Sequence, residues 1–168
     1  FTEWDSLIEK LETHLSTLKP RNRVDEIRSE ISLKCLRFAS RERGLYQITV
    51  PTGGGKTLSS LRFALHHAKN HKMDRIIYVI PYTSIIDQNA RDVREILENH
   101  GRGYGIQKKQ IVLEHHSNLT PKNDTKQSKI LSENWDAPIV FTTLVQFLET
   151  LFAAGTRGAR RMHQLANT

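Results

Sequence analysis

Residues 50–57 read VPTGGGKT, and it is in this stretch that the sequence offers chemistry most plainly. Three glycines ahead of a Lys-Thr pair make a loop whose backbone N–H groups can close around an anion, because no Cβ stands between peptide and phosphate. In such a loop Gly53, Gly54 and Gly55 bring the backbone close, Lys56 reaches the β- and γ-phosphates of a nucleotide, and the Thr57 hydroxyl ligates Mg2+. The usual pattern, G-x-x-x-x-G-K-[ST], opens on a glycine, but that position is Val50 here, and the exchange narrows the class of phosphate-binding protein. Other constellations carry less. His66, His67 and His71 include imidazoles at helical spacing, but the Glu of H-E-x-x-H is absent, and a helix C-terminus favours histidine through its dipole. HGRGYG (100–105) has the glycines of half a dinucleotide fingerprint with no βαβ start after it, and reads as a turn.

The loop needs a strand before it and a helix after it, and the periodicity provides both. Trp4, Leu7, Ile8, Leu11, Leu15 and Leu18 recur every three or four residues, a helix face ended by Pro20. Val24, Ile27, Ile31, Cys35 and Phe38 repeat the pattern up to Gly44. LYQITV (45–50) reads as a strand running into the glycine loop, followed by a helix from Thr57 to about Asn70. Then come RIIYVI (75–80) as a strand, a helix from Thr83 to about Asn99, QIVLE (110–114) and PIVFTT (138–143) as strands, and the helical LVQFLETLFAA. Strands apolar along their whole length and alternating with helices predict an α/β fold with a parallel sheet covered on both faces. A loop between strand and helix is where successive N–H groups and a helix N-terminus point at an anion.

Composition bounds the rest. A chain of 168 residues with 38% apolar content is the size of one compact domain. The single Cys35 cannot form an internal disulfide, and no apolar run approaches the roughly 20 residues needed to cross a bilayer. The opening FTEWDSLIEK lacks the layout of a signal peptide, so a cytoplasmic setting is expected. Net charge is +7, and two stretches hold the excess. Segment 101–129 carries Arg102, Lys108, Lys109, Lys122, Lys126 and Lys129 against Glu114 and Asp124, and segment 150–168 carries Arg157, Arg160 and Arg161 against no acid. The positive field therefore belongs to particular loops, as either a solvated face or an attraction for nucleic acid.

PTGGGKT resembles the first motif of superfamily 2 helicases, A-x-T-G-x-G-K-T, from which the leading glycine is missing. That resemblance implies a P-loop, RecA-like parallel sheet flanked by helices and preceded by amino-terminal helices, and it adds Thr52 to the nucleotide-binding set. PYTSIIDQNARDVREIL after the second strand is similar to the next helicase motif, in which Pro81, Tyr82, Thr83, Ser84 and Gln88 would face a DNA phosphate backbone. More closely, the block from Thr49 to Val93, then VLEHHSNL, then IVFTTLVQFLETLFAAGTRGARRMHQLANT resemble the first motor domain of the CRISPR-associated helicase–nuclease of type I systems. The weaker match RVDEIRSEISLKCL makes Arg28 a candidate for nucleotide-base contact. The family implies ATP and Mg2+ as cofactors, with single-stranded DNA and a guide-RNA surveillance complex as partners. His116, Ser117, Thr142 and Thr143 are implied as further DNA-side residues, each following a strand as Pro81–Ser84 do.

The resemblance also implies parts that these residues do not supply. A motor of this superfamily uses an Asp–Glu pair at a strand end, for Mg2+ and the attacking water, and a second motor domain carrying an arginine finger. Glu114 has no Asp before it. The family places its acidic box just after a stretch like HQLAN, so the chain is expected to stop short of it and to be inactive alone, with the second motor and the nuclease domain elsewhere. Residues 1–43 would then lead into a motor over 44–168. The alternative is a nucleotide-dependent nucleic-acid-binding or regulatory P-loop module that does not hydrolyse ATP.

Overall fold

The computed structural model describes residues 4–98, 110–115, 134–152, 159 and 161–168, which divide into two compact units, the first ending at Met73 and the second beginning at Asp74. The first is helical: α1 (Trp4–Thr17), α2 (Arg23–Phe38) and α3 (Lys56–Asn70). The stripe read from the sequence sets the seam of α1, where Trp4, Leu7 and Leu11 are buried, and the Trp4 indole donates to Met73 O at 2.8 Å. Leu61 and Leu65 of α3 are fully buried, each contributing roughly 1.5–3 kcal/mol of apolar burial. Asn22 starts α2, its side-chain oxygen accepting from Asp25 N at 3.0 Å.

A polar clamp ties the three helices. Arg62 of α3 donates to both Glu12 oxygens of α1, at 2.8 and 2.5 Å, and to Ser32 Oγ of α2 at 3.1 Å. The stripe expected as the core face of α2 is largely open, with Val24, Ile27 and Phe38 all exposed. The buried residue of the helix is instead Ser32, which Arg62 requires on the inner side.

The second unit carries β1 (Ile76–Ile80), α4 (Thr83–Glu98), β2 (Val112–His115), β3 (Ile139–Thr143) and α5 (Leu144–Leu151), with a 3-10 turn at His163–Leu165. Its sheet is parallel throughout, in the order β1-β3-β2, with Ile76 and Val112 both opposite Ile139. Central β3 is buried along Ile139–Thr142, as a continuous apolar run predicts. Helix α4 buries Ile86, Ala90, Val93, Ile96 and Leu97 and leaves Ser84 and Gln88 outward. Fold class is thus α/β with helices on a parallel sheet, as expected. Among the described residues no helix is long and apolar enough to cross a membrane.

One expected strand differs. Residues 45–50 have no strand hydrogen-bond pattern: Leu45 is fully exposed, Ile48 is 42% exposed, and only Val50 is buried. β propensity favours an extended backbone but does not provide the neighbouring ladder that makes a strand.

Candidate functional site

The glycine loop belongs to the first unit and ends in α3, whose N-cap is Gly55 at φ 76° with no side-chain cap. The first N–H groups of a helix have no acceptor within it, and together with the positive end of its dipole they favour an anion at that end. Gly53 lies at φ 79°, also in the left-handed region that glycine enters without a Cβ clash. Gly54 donates its N–H to Pro51 O at 3.0 Å, which curls the loop. Lys56 and Thr52 are exposed, and Thr57 is half-buried in the first turn of α3.

Val50 fits this loop for a steric reason. Its side chain is 8% exposed, and a Cβ placed on Gly54 would stand 2.2 Å from Val50 Cγ1. The valine therefore fills the space above the second glycine, and the two positions are complementary.

Arg28 of α2 reaches the same loop. Its Nε donates to Gly53 O at 2.8 Å and its Nη1 to Asp25 Oδ1 at 3.0 Å, while a Cβ on Gly55 would meet its stem at 3.4 Å. Arg28 thus lies along the glycines and holds the loop carbonyl, a contact that sequence alone did not suggest. A cavity of about 840 Å³ opens beside it, lined by Asp25, Arg28, Gly53 and Gly55 together with Glu12 and Arg62. An uncapped helix start, two left-handed glycines and an adjoining polar cavity fit a nucleotide with Mg2+ at its phosphates.

Glu12 borders that cavity. Burial raises its carboxyl, but the bonds and charges of Arg62 and His66 outweigh burial and hold it below the ordinary 4.5. The two histidines of α3 and His71, its C-cap, are engaged by neighbours: His66 with Glu12 at 3.0 Å, His67 with Ala39 O at 3.0 Å, and His71 with Arg41 O at 2.7 Å. No group of three or more metal-ligating side chains occurs among the described residues.

In the second unit the register brings the strand ends to one edge. Ile80 is opposite Thr143, and Thr142 is opposite both Val79 and His115. Pro81, Tyr82, Ser84 and Gln88 are exposed beyond β1, with Thr83 half-buried. Ser84 and Gln88, four apart on α4, share its outer face. The two threonines expected to meet DNA have different surroundings. Thr142 is fully buried and donates its hydroxyl to His115 O at 3.0 Å, so it holds β3 to β2. Thr143 is half-buried and caps α5, accepting from Gln146 N at 3.3 Å. His116, Ser117 and the basic segment 101–109 and 116–129 lie outside the described residues. Glu114 accepts from Arg94 Nη2 at 2.6 Å, which accounts for it as a structural ion pair.

Over residues 6–164 the chain matches the family described as type III restriction enzyme, res subunit, and it belongs to that family of superfamily 2 helicase amino-terminal motor domains. Such helicase-like domains are nucleoside triphosphatases that generally use ATP and Mg2+. No curated protein matches the chain.

Proposed function

We propose that this chain is the ATP-binding and single-stranded-DNA-contacting half of an ATP-dependent DNA helicase acting in type I CRISPR interference, in the cytoplasm. Residues 1–43 lead into the motor and 44–168 form it. The observation that carries the reading is the loop Thr52–Thr57 at the uncapped start of α3, with Arg28 laid along it. ATP with Mg2+ supplies the phosphoryl group and the charge neutralisation of its transfer. The chain's own residues bind and orient: the amides of Gly53 and Gly55 hold phosphate oxygens while that of Gly54 shapes the loop through Pro51 O, Lys56 pairs with the terminal phosphates, and Thr57 ligates the metal. Pro81, Tyr82, Thr83, Ser84, Gln88, His116, Ser117 and Thr143 contact the strand, while Thr142 supports them from inside the sheet. Contacts of this kind grip the backbone and carry little sequence information.

The CRISPR role is tested with the full-length protein on two substrates. ATP hydrolysis and strand displacement are compared on a target already opened by a guide-RNA surveillance complex and on the same duplex without it. Preference for the opened target supports the proposal; equal activity on both removes the CRISPR role and leaves a general motor. A protein that binds ATP yet hydrolyses none on either substrate is the non-hydrolysing regulatory module instead.

A further inference from the structure

The carboxyl end of β2 is braced by a buried cation. Arg161 is 5% exposed although it lies in a segment without acids. Its Nη1 stands 3.4 Å from Nε2 and 3.5 Å from Nδ1 of His115, and 3.4 Å from Gln146 Oε1. Its guanidinium carbon lies 5.5 Å from the Trp135 ring, and that ring meets His115 edge-on at 5.8 Å. Burying a charge is costly, so such a group persists where its surroundings hold it by several contacts at once.

The surroundings are themselves constrained. Trp135 is fully buried at φ 53°, a left-handed backbone rare for a bulky residue, and Arg75 donates to its carbonyl. Strain of this kind survives where packing over-determines it, and it gathers at working sites. Both ends of the Arg161 brace lead to the strand ends. His115 immediately precedes His116 and Ser117, and its carbonyl takes the Thr142 hydroxyl. Gln146 is the residue whose N–H Thr143 caps.

We infer that Arg161 is a positioning residue for the nucleic-acid edge: seated among Trp135, His115 and Gln146, it fixes the end of β2 against the start of α5 and thereby the spacing at which phosphates are held. The inference rests on the nucleic-acid reading above. Because Arg161 is buried, it sets geometry without neutralising a phosphate.

The test uses the full-length protein and a fluorescein-labelled oligothymidylate, with affinity measured over a salt series. Arg161→Met keeps much of the volume and removes charge and donors. It should weaken binding about tenfold, as for loss of a hydrogen-bonded charged group, with an unchanged slope against salt. Affinity for a fluorescent ATP analogue should stay at the parent value, because the contacts that shape the glycine loop come from Val50, Pro51 and Arg28 and not from Arg161 or its neighbours. Arg161→Lys should recover part of the loss, since it restores the charge but not the planar fork. Gln146→Leu, which keeps the arginine, should weaken binding in the same slope-neutral way even if Arg161→Met does not fold. Parent-like binding by the Lys and Leu variants overturns the inference. So does a slope reduced by about 0.7, the value for one lost single-strand phosphate contact. If the parent does not bind the oligonucleotide, the nucleic-acid reading fails too; if the parent binds and Thr143→Ala weakens it while the Arg161 variants do not, only the positioning role fails.

Discussion

Gly54→Ala isolates the fit between the phosphate loop and Val50. The added methyl would stand 2.2 Å from Val50 Cγ1, well inside the roughly 3.5–4.0 Å at which carbons rest, so either the loop or the valine must move. Gly54 is not among the residues at positive φ, so the cost is collision and not backbone strain. Overpacking of this kind costs about 1–3 kcal/mol, which corresponds to a roughly 5- to 150-fold loss of nucleotide affinity if the loop takes up the displacement. Val50→Ala removes Cγ1 and leaves the valine Cβ position at 3.6 Å, an ordinary contact. The double variant should therefore regain most of the affinity, short of full recovery because Pro51 O remains 3.0 Å from the new methyl. Calorimetric titration of the full-length parent, both single variants and the double variant with Mg-ATP gives the coupling directly. Gly53→Ala is the contrast: its nearest neighbour is 4.0 Å away, so its cost comes from φ 79° and should not respond to Val50→Ala. Additive losses for Gly54→Ala and Val50→Ala, or parent-like affinity for Gly54→Ala alone, would refute the steric account.

Glu12→Gln should lower the melting temperature at neutral pH. A carboxyl held below its ordinary 4.5 stabilises the fold above that value and loses the contribution as pH falls through its folded-state value, so the gap between parent and variant should narrow in acid. Melting curves from pH 7 downward check this, and a gap that widens in acid contradicts it. Arg28→Ala frees the Gly53 carbonyl and should weaken Mg-ATP binding by about 1.5–3 kcal/mol, the usual worth of a hydrogen bond to a charged group; a titration with parent affinity would remove the loop-holding role. Thr142→Val, which deletes a buried hydroxyl bonded to His115 O, should cost about 1 kcal/mol of stability by denaturant titration. Thr143→Ala removes the α5 cap and should cost about the same; equal stability of both variants to the parent sinks the reading of the strand ends as hydrogen-bonded supports.

Much of the architecture was legible because it is periodic. The apolar runs at 76–80 and 139–143 and the stripe of α4 appear within a residue or two of their expected places. The glycine loop was legible because its chemistry is local: glycines, a cation and a hydroxyl in one heptapeptide. Contacts between distant residues were not. Nothing in the spacing of Val50 and Gly54 announces a side chain lying over a missing Cβ, and Arg28 is 25 residues from the carbonyl it holds. The charge pattern misplaced Arg161, which counts toward a basic segment in the sequence but is buried against Trp135 and His115 in the fold. Thr142 and Thr143 look equivalent as a pair, yet pleating turns one into the sheet and leaves the other to cap a helix. The run LYQITV has strand composition, and composition does not specify a pairing partner.

On the proposal above, the glycine loop works as the nucleotide site of a DNA-driven motor. Its most direct test is the ATP hydrolysis rate of the full-length protein and of its Lys56→Ala variant, each with and without saturating single-stranded DNA. The parent rate should rise with DNA, and the variant should lose at least about 1.5–3 kcal/mol of nucleotide or transition-state binding, a rate roughly 10- to 150-fold lower at limiting ATP. A variant that hydrolyses ATP at the parent rate, or a parent whose rate ignores DNA, would contradict it.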